Sequence, residues 1–122
     1  MIKLTFCLRR RPELSREEFQ HIWHEEHAPL VRSHAETLGI RRYVQVHTTT
    51  TPMNDALRGS RSAPEEYDGV AELWWDSVEA AANAASTPEG AEAARQLLED
   101  ERRFIDHANS PIWLSEERPV IT

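Results

Sequence analysis

The chain has a single cysteine, Cys7, in 122 residues. No internal disulfide can form, and no thiolate metal cluster can be built. No apolar run approaches the roughly 20 residues a membrane-spanning helix needs. No apolar stretch with a following cleavage site opens the chain either. These absences set the expectation of a cytoplasmic protein with no membrane partner. Positive charge is scarce: Lys and Arg number 14 against 21 Asp and Glu, for a formal net charge of −7. An acidic surface repels phosphate backbones, so nucleic acid is not an expected partner. The one compact basic cluster, Arg9, Arg10 and Arg11, reads as a solvated strand end. Glycine is also sparse, at four residues, and neither G-x-G-x-x-G nor G-x-x-x-x-G-K-[ST] occurs. A Rossmann nucleotide site and a P-loop are therefore unsupported. No flavin or haem signature is visible, and the expectation is chemistry without a cofactor.

The residues that are present suit one globular domain spanning residues 1–122. Hydrophobic residues make up 39% and charged residues 29%, which argues against long disorder. Residues Ile2 to Leu8 alternate, with Ile2, Leu4, Phe6 and Leu8 on one face and Lys3, Thr5 and Cys7 on the other. That is the period of a strand. The first, strongly apolar face is expected to meet helices, and Cys7 is read as packing. Ser15 and Glu18 form a capping box at the start of a helix whose apolar stripe is Phe19, Ile22 and Trp23. Pro29 should kink or break that helix. A second piece, Pro29 to Leu38, should stop at Gly39.

Arg41 to Thr48 reads as a second strand, with Tyr43, Gln45 and His47 on one face and Val44 and Val46 on the other. Residues 52–66 carry Gly, Pro, Ser and Asn and read as a long mobile loop, a possible lid. Tyr67 to Trp75 is a third strand, with Val70, Glu72 and Trp74 sharing a face. Asp76 is expected to cap a thin alanine-rich helix over about Ser77 to Ala85. Thr87 and Pro88 should start another, running to about His107. Ser110 to Val120 supplies the last strand. The order β-α-β-β-α-β predicts an α+β fold with one antiparallel sheet and helices on one face. Apolar groups on both sheet faces predict a homodimer through the other face.

Several short segments, in this order and spacing, resemble the EthD family of the dimeric α+β barrel superfamily. They are Arg9 to Phe19, Trp23 with the HAPL run at His27 to Leu30, YVQ at Tyr43 to Gln45, YDGVAELWW at Tyr67 to Trp75, TPEG at Thr87 to Gly90, and RFID at Arg103 to Asp106. The resemblance covers nearly the whole chain. It implies a ferredoxin-like sandwich that pairs sheet to sheet, with a pocket between sheet and helices in each subunit. The wider superfamily holds cofactor-independent monooxygenases, polyketide cyclases, dehydratases and muconolactone isomerases.

His27, which matches the family motif, is the leading candidate for chemistry. Imidazole has a reference pKa near 6.5 and suits proton transfer. The structural alternative is a buried histidine bonded to a carbonyl or capping the broken turn. His34, seven residues on, would share a face with His27 on a continuous helix. Asp106 is read as a helix-end or salt-bridge residue, with a distant carboxylate partnership to His27 as the alternative. The H-E-E-H run at His24 to His27 is not H-E-x-x-H, so no metal is expected. Tyr43 and His47 are suited to hold a phenol, enol or carbonyl oxygen, and Gln45 can donate and accept. Glu72 and Trp74 are placed with them on the pocket floor, and Trp23 and Trp74 offer flat surfaces to an aromatic ligand. The alternative is that this face is the dimer seam.

The expected function is a cofactor-independent enzyme acting on a small hydrophobic or aromatic ketone or lactone. His27 would move a proton next to a carbonyl, with Tyr43 or Gln45 stabilising the oxygen that gains charge. The rivals are an oxidoreductase or monooxygenase of the same fold, and a non-catalytic protein that carries a metabolite.

Overall fold

The alternation at the N-terminus becomes β1 (Ile2–Leu8), the inner strand around which the sheet is built. A computed structural model describes all 122 residues. β1 pairs antiparallel with β3 (Gly69–Trp75) on one side and β4 (Ile112–Ser115) on the other. β2 (Arg42–His47) completes the sheet beyond β3, in the order β2-β3-β1-β4. This is the ferredoxin-like, α+β arrangement expected from the sequence.

Phe6 and Leu8 face the helices and are buried with Phe19, Trp23, Ala71, Phe104 and Ile105. Burying each large side chain contributes about 1.5–3 kcal/mol. Leu4, on the same face, packs against that core.

The capping box forms as expected: the Glu18 amide donates to Ser15 Oγ at 3.1 Å, and the Ser15 amide donates to Glu18 Oε1 at 2.9 Å. It starts α1 (Arg16–His21). The helix does not break at Pro29. Proline lacks an N–H and its ring crowds the carbonyl four residues earlier, that of Glu25. The chain accommodates this by widening into a π turn over Ile22–His27, and the Ala28 amide reaches back five residues to the Trp23 carbonyl. Regular winding resumes in α2 (Ala28–Leu38), which ends at Gly39 with φ 70°.

Residues 52–61 are not a loop. They form α3 (Pro52–Arg61), with Thr51 as its cap and Pro52 in the first turn. The helix buries no residue: its short stripe, Met53, Ala56 and Leu57, stays exposed, and Thr51–Pro52 and the Asp55–Arg58 ion pair hold the helix. α4 (Val78–Ser86) is capped by Ser77, not Asp76, and Asp76 is engaged by Arg41. α5 (Pro88–Glu101) starts at Thr87 as expected but stops six residues before His107. The chain must leave the helix there to bury Phe104 and Ile105. A short 3-10 turn, His107–Asn109, comes next.

The arginine cluster is an anchor, not a solvated end. Asp68 is fully buried and accepts from the Arg10 amide at 2.8 Å, Arg10 Nη1 at 2.6 Å and Arg16 Nε at 3.0 Å. Burial alone would raise its pKa, but these donors outweigh burial and hold the carboxyl below its usual range. Arg9 lies over the Tyr67 ring, 4.6 Å from its centroid.

Candidate functional site

His27 closes the π turn and is 4% exposed. Its Nδ1 lies 2.8 Å from Asp100 Oδ2 on α5. Asp100 also accepts from Arg103 Nε at 2.8 Å, and Arg103 reaches Glu26 at 3.0 Å. Burial pushes the Asp100 carboxyl up, but the bonds from Arg103 and His27 prevail and hold it below its ordinary value. Asp100 is therefore an ionised acceptor at neutral pH, so Nδ1 of His27 is the donor to it and the second nitrogen, Nε2, carries the exchangeable position. A carboxylate that fixes the tautomer and orientation of an imidazole is the arrangement that prepares a general base. Asp106, the alternative considered for this role, is not the partner of His27.

His27 borders a small apolar cavity of about 50 Å3 between helices and sheet. Its floor is Phe6, Leu8, Tyr43, Ala71 and Leu73. Trp23, His27 and Val31 roof it from one side, and Leu97 and Glu101 from the other. Glu101 Oε2 is 3.9 Å from His27 Nε2, and its Oε1 is 3.0 Å from His107 Nε2. His107 is part-exposed and stacked on Phe6. A carboxylate thus stands between a cavity imidazole and one at the surface.

Tyr43 accepts from Gln45 Nε2 at 2.7 Å, so its own proton remains available to the cavity. Burial pushes the phenol pKa up to about 12; donors at Gln45 and Trp23 oppose this, and the charge of Glu101 adds to it. Gln45 is a junction. Its amide also donates to the Trp23 carbonyl at 2.9 Å, the same oxygen that receives the π-turn bond. Its Oε1 lies 3.2 Å from His24 Nδ1 and 2.8 Å from His47 Nε2. His47 in turn stacks on Trp23, with ring centroids 4.6 Å apart. Burial first, and the nearby His24 second, lower the His47 pKa. Tyr43, Gln45 and His47 share one strand face, and the register with Leu73, Ala71 and Gly69 sets that face toward the helices. Of these three, only Tyr43 borders the cavity; Gln45 and His47 lie behind it and brace the π turn. Trp23 contributes an edge to the roof and spends its face on His47.

Glu72 and Trp74 are corrections. In register, Glu72 lies opposite Val44 and Thr5, and Trp74 opposite Arg42 and Lys3. That parity places both on the sheet face away from the helices. Glu72 pairs with Lys3 at 2.6 Å, and Trp74 donates to Glu117 at 2.6 Å. Neither borders the His27 cavity. His34 does not join His27 either; it ties α2 to α5 through Gln96 at 2.8 Å.

The family model described as EthD domain matches residues 11–108. The chain belongs to the EthD family. The EthD chain is similar to an ethyl tert-butyl ether degradation (EthD) family protein from Bacillus halodurans, with TM-score 0.63 and 23% identity, over 97% of this chain and 99% of that one. It is also similar in fold to a dimeric ferredoxin-like protein of unknown function from Bacteroides fragilis, with TM-score 0.59 and 11% identity, over 95% of each. In sequence it is similar to Decarboxylase AgnL1 of Paecilomyces divaricatus, 25% identical over 119 residues, covering 93% of this chain and 78% of that protein.

Asp100, Glu101 and His107 are not among the site residues expected from the sequence. The available signal for Asp100 and Glu101 is their place in the last turn of α5, where they succeed the Ala93–Leu97 stripe that packs inward; His107 lies beyond the helix. Helical period alone places such residues near the buried side, but only the tertiary pairing of α5 with the π turn brings Asp100 to His27.

Proposed function

We propose that this EthD protein is a cofactor-independent enzyme that forms an enolate in a small hydrophobic or aromatic carbonyl compound. The observation that carries the reading is the His27–Asp100 pair, with His27 and Tyr43 lining one apolar cavity. His27 Nε2 removes the proton on the carbon next to a carbonyl. The C–H electron pair moves into the carbonyl, and the Tyr43 hydroxyl donates to the oxygen on which the charge gathers. Return of the proton at another carbon isomerises the compound; departure of a β-hydroxyl as water dehydrates it. Likeness to a protein named a decarboxylase supports this chemistry, because loss of CO2 from a β-keto acid leaves the same type of carbanion. Glu101 and His107 would pass the proton between His27 and solvent.

The cavity is smaller than the roughly 150 Å3 that admits a benzene ring, so substrate binding requires α2 and α5 to part around Val31 and Leu97. A single domain of this size would work as a homodimer. Val46 and Trp113 are nearly half exposed on the face without the core, and likeness to a dimeric ferredoxin-like protein supports burial of that face against a second copy.

The test is deuterium exchange followed by NMR in D2O, on a panel of 2-hydroxyphenyl ketones and unsaturated lactones. Exchange above the buffer rate is expected, and a His27→Gln variant should lose it by about 100-fold or more. Exchange by the variant at the parent rate would remove His27 from the chemistry. Oxygen uptake without α-proton exchange would instead favour the oxidoreductase reading.

A further inference from the structure

Tyr43 and Val31 each line two spaces. Besides the His27 cavity, they border an open pocket of about 180 Å3 between α2 and the start of β2, whose apolar walls include Ala28, Ala35 and Ile40. The three larger surface clefts share no lining residue with the cavity. Val31 and Tyr43 therefore form the wall that the α2–β2 pocket shares with the His27 cavity. The pocket is as large as the roughly 150 Å3 that takes up benzene.

Its lining is basic, in a chain of net charge −7. Arg41 contributes a guanidinium that forks onto Asp76, an exposed pair at 2.8 Å. Arg32 is exposed and has no carboxylate within 4 Å. Arg42 also lines the pocket, but its guanidinium is turned to the other sheet face, 4.6 Å from the Trp74 centroid. An unpaired guanidinium at the mouth of an apolar passage selects an anion, and its planar fork matches a carboxylate. The apolar walls behind it select a ring.

We infer that this pocket is the mouth of the site and that it recognises a small ring-bearing carboxylic acid, the carboxylate at Arg32 and the ring directed to Tyr43. This rests on the enolate-forming reading and names its substrate class. A carboxylate held by arginine is stabilised as the anion, so it serves as a handle and not as the group that is lost. The carbonyl that reacts is then a second group, deeper in the molecule.

Titration calorimetry of the intact protein with salicylate and with salicylamide, its neutral counterpart, tests this. Salicylate should bind about tenfold more tightly at low salt, a difference worth one decade in Kd. The preference should shrink as salt is raised. Arg32→Gln should abolish it while leaving salicylamide binding unchanged; Arg41→Gln should reduce it less, because Asp76 already shares that charge. Equal affinity for acid and amide, a preference that survives in Arg32→Gln, or failure of both compounds to bind would each overturn the inference. Deuterium exchange reports on His27 and not on this pocket. Exchange present with no acid preference would therefore overturn the substrate class alone, and acid preference with no exchange on any substrate would overturn the catalytic reading alone.

Discussion

Asp100 Oδ2 stands 2.8 Å from Nδ1 of His27. The carboxylate comes from the last turn of α5 and the imidazole from the last residue of the π turn. Replacing Asp100 by Asn keeps the shape but removes the obligatory acceptor. The imidazole is then free to place its proton on Nε2, where the lone pair is needed. Asp100→Asn should therefore lower α-proton exchange by about 10- to 100-fold and change the pH profile of the residual activity, while chemical denaturation shows a folded protein that has lost about 1–3 kcal/mol of stability. Parent-like rate and profile would show that the pair is structural only.

Tyr43 offers a spectroscopic check. Its phenol is pushed up to about 12 by burial, against about 10 in an unfolded chain. The neutral phenol is thus the form that the fold prefers. Its contribution to stability is complete below pH 10 and is lost as pH rises toward 12. Ultraviolet titration of the parent minus Tyr43→Phe should isolate one phenolate transition near 12. A transition near 10 would mean that the ring is wetter than described.

Asp68 governs the acid limb. Its folded pKa is depressed, so its stabilisation is complete above the unfolded value of about 3.9 and disappears as pH falls through the folded value. Asp68→Asn should lose about 2 kcal/mol at pH 7, the scale of hydrogen bonds to a charged group. The deficit should narrow below pH 4, measured by urea unfolding at several pH values. A deficit independent of pH would point to lost packing instead.

Gly69 has no room for a side chain. A Cβ there would lie 2.5 Å from Trp23 Cζ3 and 2.9 Å from the Val46 carbonyl oxygen. Gly69→Ala should cost about 1–3 kcal/mol by overpacking. It should also disturb Trp23 fluorescence, because the indole is clamped between this backbone and His47.

The sheet face bearing Val46 and Trp113 gives a test of assembly. Val46 lies opposite Val70 in register and is 45% exposed. Val46→Lys should shift the protein from dimer to monomer in sedimentation velocity, with its circular dichroism unchanged. A monomeric parent would remove the case for pairing through this face.

Local rules carry far along this chain, and fail where distance enters. The alternation in β1 is enough to choose its buried face, and Ser15–Glu18 and Thr87–Pro88 mark two helix starts. Thr51–Pro52 is the same start signal, but its short stripe of Met53, Ala56 and Leu57 is lost among the polar residues around it, and the segment reads as loop. Glu72 is misplaced by strand parity, which says which residues go together and not which neighbours they join. Only the β2–β3 register sets Glu72 with Val44 and apart from Tyr43. Pro29 announces an irregular helix, yet whether it breaks or widens depends on Gln45 and Ala28 both bonding to the Trp23 carbonyl. Asp100 is out of reach for the same reason: it lies 73 positions from His27 in the chain.

The widened turn has the arithmetic of a one-residue insertion. A chain lacking one residue between Ile22 and His27 would wind regularly, and the helix before the gap would rotate by about 100° relative to the helix beyond it. Trp23 would then swing off Gly69, or His27 off Asp100, because the two could no longer keep their partners together. A single codon's length here therefore separates a helix that merely covers the sheet from one that also holds His27 against Asp100.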